Sequence, residues 1–259
     1  MNELPKHNKM PAGLVLEKSP AFVPKMAMTD ELRTVVCEVI RQWDNRHLFD
    51  GLAKFGIRPL DRLLFFGPPG NGKTMACQWI ARKLDIPLYR VQCEQIRGRY
   101  LGETTRALAD VTRYLMAQPD PAVCLFDEIE SIFVDRSRAV GECDRELGSA
   151  LTVFFQALDR WSSPMLLVMC TNLVDQVDRA LLSRIELQLE FRPPTEQQAL
   201  DVIAYWRELL CDHGGDQWSE GLTHDIAVRG TPESFRELQQ AINRAARAWV
   251  AAKIGGEEE

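Results

Sequence analysis

Gly67-Pro68-Pro69-Gly70-Asn71-Gly72-Lys73-Thr74 is the stretch on which the reading of this chain turns. It fits G-x-x-x-x-G-K-[ST], follows the apolar run 63–66 and opens the helical pattern 75–84, beginning at Met75. Glycines let backbone N–H groups turn inward around phosphate oxygens. The Lys73 ammonium then reaches the β/γ-phosphates of a nucleotide, and the Thr74 hydroxyl is placed to ligate Mg²⁺. At ordinary residue frequencies the string arises by chance in roughly one such chain in a hundred. A plain glycine turn is the competing reading, and the strand before and helix after decide against it.

Working outward, Ala122-Val123-Cys124-Leu125-Phe126-Asp127-Glu128 is an apolar strand ending in two carboxylates. In an open α/β sheet, side chains at the C-terminal ends of strands face the ligand crevice. Asp127 is thus expected on the Mg²⁺ and Glu128 on the attacking water. Further apolar runs at 88–91 and 165–170, and an alternating one at 185–191, complete a set of five strands with helical patterns between them. Continuous apolar runs are the mark of parallel strands buried on both faces. Thr29 with Asp30 and Glu31 starts a helix, and Leu147, Leu151, Phe154, Phe155 and Leu158 mark one face of another. Pro193-Pro194 closes this block. Thr195 and Gln198 resemble a capping box, and the remainder reads as helical to about Lys253. The expected organisation is an N-terminal arm over 1–26, an α/β nucleotide-binding domain over 27–192 and a small helical domain over 193–259.

Composition narrows the function classes. The chain has 259 residues, 46% apolar and 26% charged, which suits a globular protein with a real core. Its net charge of −6 argues against a basic nucleic-acid binder. No apolar run approaches a membrane span. Seven scattered cysteines without a CxxC pair point to reduced, buried thiols and a cytoplasmic location. The four histidines are far apart, and H-E-x-x-H, G-x-S-x-G and Cys/His metal spacings are absent from the sequence.

The three segments GPPGNGKT, LFDEIES and LLVMCTN, in that order, resemble the AAA+ ATPases, specifically the protein-remodelling AAA type. The resemblance covers roughly residues 30–250. It implies a P-loop NTPase fold with a five-stranded parallel sheet in the order 5-1-4-3-2, a C-terminal helical lid, and assembly into a ring, a homo-hexamer in the leading reading. It implies ATP and Mg²⁺ as ligands and ATP hydrolysis as the reaction.

Residue by residue, Asn172 matches the sensor that positions the lytic water. Arg184, closing Asp178-Arg179-Ala180-Leu181-Leu182-Ser183-Arg184, resembles the arginine finger inserted into a neighbour's site. The family's usual arginine, proline and glycine ahead of the finger are missing here, and Arg179 stands where proline is usual. Arg145 resembles an inter-subunit arginine, and Arg236 resembles the second sensor reaching the γ-phosphate from the lid. Tyr100 and Leu101, ahead of Gly102, match the first pore loop, whose aromatic grips an extended polypeptide through apolar area. A second pore loop would fall near 136–141.

The expected function is an ATP-driven remodeller or unfoldase pulling a protein client through an axial pore. A nucleic-acid motor or loader and an ATP-dependent regulatory switch stand as alternatives. The acidic balance and the Tyr100 motif argue against the first of these, and the short N-terminal arm permits the second. Small one-ring relatives act on HORMA-domain partners or resemble ATPases paired with subtilisin-like proteases, and the sequence does not choose between them.

Overall fold

The computed structural model describes residues 10–17, 29–96, 102–132, 142–161, 164–210 and 215–255. Six strands form one sheet: β1 (Leu14–Glu17), β2 (Arg62–Phe66), β3 (Leu88–Gln92), β4 (Ala122–Asp127), β5 (Met165–Thr171) and β6 (Leu187–Glu190). Their order is β1-β3-β4-β5-β2-β6. From β3 to β6 every pairing is parallel, and these five strands follow the expected 5-1-4-3-2 order. The sheet nevertheless has six strands rather than five. Residues 14–17, read as part of the N-terminal arm, pair antiparallel with β3, Leu14 opposite Val91 and Glu17 opposite Leu88. The sequence conceals this strand because four residues are too few to show a periodicity.

The sheet lies between two helical layers. Successive residues of the central strands alternate between them: Cys124 and Phe126 of β4 pack in one core, Val123 and Leu125 in the other. The first core is closed by α4 (Glu103–Met116) and α5 (Glu142–Asp159), through Leu108, Val111, Leu151 and Phe154. The second is closed by α1 (Asp30–Asp44) and α2 (Lys73–Lys83), through Val36, Val39, Ala76 and Ile80. All seven residues of β5 are buried, as expected of a strand covered on both faces. Thr29 caps α1 by accepting from the Leu32 N–H at 3.1 Å.

A one-turn helix, α3 (Cys93–Ile96), follows β3, and another, α6 (Arg179–Leu182), precedes β6. After Pro193-Pro194 the helices α7 (Glu196–Leu209), α8 (Gly215–Arg229) and α9 (Phe235–Gly255) share a third core of Ala199, Ile203, Trp218, Leu222, Leu238 and Ile242. The Thr195/Gln198 capping box starts α7: Gln198 N donates to Thr195 Oγ1, and Thr195 N donates to Gln198 Oε1. Among the described residues no helix is long and apolar enough to cross a membrane. Cys37, Cys77, Cys93, Cys124 and Cys170 are free thiols.

Candidate nucleotide site

The C-terminal ends of β2, β4 and β5 meet at one edge of the sheet, and the glycine-rich loop crosses it. The loop turns at Gly67 with φ 133°, a region only glycine adopts without strain. A Cβ there would lie 2.3 Å from the Phe191 carbonyl oxygen, so the close approach of the loop to the end of β6 also demands glycine. The Lys73 ammonium, at the start of α2, donates to the carbonyls of Gly67 (2.7 Å) and Pro68 (3.0 Å) and to Asn172 Oδ1 (2.8 Å). Burial lowers its pKa, opposed chiefly by Cys170, Glu130 and Asp127. The Thr74 hydroxyl donates to Asp127 Oδ2 at 3.1 Å. The loop and the ends of β4 and β5, far apart in sequence, thus form one hydrogen-bonded cluster.

Glu128 takes a left-handed backbone, φ 56°, uncommon for a non-glycine residue. Although the residue is exposed, partial desolvation, and then the neighbouring carboxylates of Glu94, Asp127 and Glu130, raise its pKa. A carboxylate so placed is a better proton acceptor than an ordinary surface glutamate. The Asn172 N–H donates to Glu130 Oε1 at 3.1 Å, which fixes the start of the loop after β5.

The start of α9 reaches the loop directly. Arg236 N donates to Gly70 O at 3.0 Å, and Phe235 N to Asn71 Oδ1 at 3.4 Å. A Cβ on Gly70 would come within 3.0 Å of Arg236 Cβ. A cleft of about 810 Å³ lies between the two parts. One wall holds Pro69 to Met75, Asp127, Glu128 and Asn172; the other holds Val202, Trp206, Phe235 and Arg236. That volume suits a ligand of nucleotide size. Asn71 Nδ2 is buried at the loop without a hydrogen-bond partner, a donor left over for a ligand.

The donor set fits Mg²⁺. Thr74 and Asp127 offer a hydroxyl and a carboxylate to a hard cation that takes one or two protein oxygens and completes its shell with phosphate and water. Among the described residues no group of three or more His, Cys, Asp or Glu forms a self-sufficient metal cage.

The structure therefore gathers Gly67, Pro68, Pro69, Gly70, Asn71, Gly72, Lys73, Thr74, Met75, Asp127, Glu128, Asn172 and Arg236 around one cleft. Arg184 is elsewhere. It makes a two-bond ion pair with Asp159, Nε to Oδ1 at 2.8 Å and Nη2 to Oδ2 at 3.1 Å, and lies over the Phe155 ring at 4.8 Å. These residues line a separate cleft. Tyr100, Leu101 and 136–141 lie outside the described residues, as does the side chain of Arg145.

Sequence reasoning missed Arg90, whose Nη2 donates to Asp127 Oδ2 at 2.7 Å, and Glu94, whose carboxylate helps raise the pKa of Glu128. It also missed Val202 and Trp206, one turn apart on α7. Their i, i+4 spacing is the only available signal, and it equally describes a core-facing stripe.

The family model described as "ATPase family associated with various cellular activities (AAA)" matches residues 63–193. The chain is 27% identical over 221 residues to the 26S proteasome regulatory subunit 10B homolog A of Arabidopsis thaliana, 83% of this chain and 54% of that protein. It is 35% identical over 147 residues to the 26S proteasome regulatory subunit 6B homolog of Aspergillus niger, 55% of this chain and 34% of that protein. The chain spans about half the length, or less, of these curated relatives. Among solved structures, the E. coli MS115-1 HORMA:CdnC:Trip13 complex contains a chain that matches with a TM-score of 0.60 at 19% identity, over 89% of this chain and 93% of that one. At that identity the likeness is one of fold.

Proposed function

The chain belongs to the AAA family of ATPases, and from that premise we propose that it hydrolyses ATP in a homo-hexameric ring and spends the energy on remodelling a protein client. The observation that carries the reading is the cluster in which Lys73, Thr74, Asp127 and Asn172 are joined by hydrogen bonds beneath the lid residue Arg236. Its likeness to proteasome regulatory subunits favours a polypeptide client over nucleic acid.

In this reading residues 27–192 bind the nucleotide and 193–259 form the lid over it. The loop amides and the Lys73 ammonium hold the β- and γ-phosphates. Thr74 and Asp127 hold a Mg²⁺ ion, which when bound neutralises phosphate charge. Asn172 and Glu128 orient the attacking water, and a Glu128 carboxylate oxygen takes its proton. Arg236 reaches the γ-phosphate from the lid. Arg184 serves the site of the next copy, and a finger supplied in trans is worth about 10³–10⁵ in rate where measured in GTPases. A closed head-to-tail ring is the assembly such a finger requires. Tyr100 and Leu101 grip the client at the axis.

The experiment is ATP turnover of the purified chain alone, with an unfolded polypeptide such as casein, and with duplex DNA. Stimulation by casein and none by DNA is expected. Stimulation by DNA alone would replace this reading with a nucleic-acid motor, and a rate indifferent to both would favour a regulatory switch.

A further inference from the structure

Arg90, in the middle of β3, lines the nucleotide cleft without a part in the phosphate chemistry described above. Its guanidinium is shared between two carboxylates. Nη2 donates at 2.7 Å to Asp127 Oδ2, the oxygen that Thr74 also reaches, and Nη1 lies 3.8 Å from Glu17 Oε1. Arg90 Nε is buried without a partner, so these carboxylates are what hold the group. Glu17 is the last residue of β1. Its other oxygen accepts from Gln78 Nε2 at 3.3 Å, on the helix that begins with Lys73 and Thr74. The N-terminal strand is therefore joined by side chains to β3 and to the phosphate-loop helix, one residue removed from Asp127.

A guanidinium in contact with a carboxylate opposes a second cation on that carboxylate, by repulsion and by occupying its lone pairs. A second carboxylate on the other side of the guanidinium offsets part of that charge. β1 is a short edge element: four residues long, antiparallel, at the sheet edge, with Val15 40% exposed.

We propose that docking of β1 sets the affinity of Asp127 for its divalent cation, with Glu17 sharing the Arg90 charge that otherwise rests on Asp127 alone. When β1 leaves β3, the Arg90 charge rests on Asp127 alone, the existing 2.7 Å pair strengthens, and the nucleotide site binds its metal more weakly. The N-terminal segment is thus a regulatory element of the site, and an event that peels it from the sheet slows the motor through the metal. The inference rests on the reading of Asp127 as the metal ligand.

Mn²⁺ binding to the full chain with a non-hydrolysable ATP analogue, read by electron paramagnetic resonance, tests it. The variants are Asp127→Asn, Glu17→Gln, Arg90→Gln and the Glu17→Gln/Arg90→Gln pair. Asp127→Asn is expected to weaken Mn²⁺ binding about tenfold or more. Glu17→Gln should weaken it about three- to tenfold, Arg90→Gln should bind at least as tightly as the parent, and the pair should match Arg90→Gln. Parent-like or tighter binding by Glu17→Gln, weaker binding by Arg90→Gln, or an undiminished Glu17→Gln effect in the Arg90→Gln background would each overturn the inference. Parent-like binding by Asp127→Asn would instead overturn the reading of the site itself.

Discussion

Lys73 spends its three donors on two loop carbonyls and Asn172, so the residue that meets the phosphates is already aimed by the loop it serves. Lys73→Ala is expected to lose nucleotide binding by tenfold or more, on the order of a lost charge-assisted contact, measured with a fluorescent ATP analogue. Glu128→Gln should bind ATP as the parent does and turn over at least about a hundredfold more slowly, because the amide cannot take the proton. Glu128 also sets a pH dependence. In the proposed role it works ionised, and its pKa lies above the ordinary glutamate value of 4.5 through partial desolvation and the carboxylates around it. Turnover should therefore fall as pH drops, with a midpoint above 4.5; a midpoint at or below that value in a pH–rate profile would contradict this assignment. At this scale the sequence was most legible where chemistry demands a string: Lys73, Thr74, Asp127 and Glu128 sit where the motifs put them. Arg90 and Glu94 stayed hidden because an arginine in a strand and a glutamate beside it carry no spacing signal. Only the register of β3 beside β4, Gln92 opposite Asp127, brings them to the site.

At the scale of elements, the parallel strands were legible because burial on both faces writes itself as apolar runs, and α7 because its cap is spelled in Thr195 and Gln198. β1 was not, since its pairing is decided by the exposed edge of β3 rather than by its own four residues. The far end of the sheet holds a second titrating feature. Asp61, just before β2, is raised to about 6, by burial first and then by Glu186, against the pull of Arg62. Its pKa in the fold lies above the ordinary 3.8. Protonation thus favours the fold, and this stabilisation is full below about 3.8 and lost as pH rises through about 6. Asp61→Asn keeps the acceptor for Arg62 Nε while removing the charge. It is expected to melt a few degrees above the parent at pH 7.5, a gain of at most about 3 kcal/mol, and to match it at pH 4. Equal melting temperatures at both pH values would refute that account.

For the whole molecule, the parts that make the cleft come from opposite ends of the chain: the loop near residue 70 and the lid near residue 236 are joined by two backbone donors. The sequence suggested the pairing through resemblance alone, because nothing in local pattern says which face α9 presents. The account further divides one reaction between copies. Lys73 lies in the cleft, whereas Arg184 is held by Asp159 and Phe155 in a separate one. In the proposed reading Tyr100 belongs to neither chemistry. Tyr100→Ala should retain ATP turnover and melting temperature while losing client unfolding, with roughly 1.5–3 kcal/mol of apolar contact removed at each ring position; a stable variant that still unfolds its client would sink the threading model. The most direct test of the central claim mixes two inactive variants. Arg184→Ala should bind ATP within a few-fold of the parent and turn over about 10³-fold or more slowly, and Lys73→Ala should bind it tenfold or more weakly. In mixed rings, with mixing confirmed by native mass spectrometry, the proposed arrangement sets an intact nucleotide cleft of one variant against the intact Arg184 of the other, and part of the parent ATPase rate should return. Mixed rings that stay as inactive as either variant alone would contradict a site completed by a neighbouring copy.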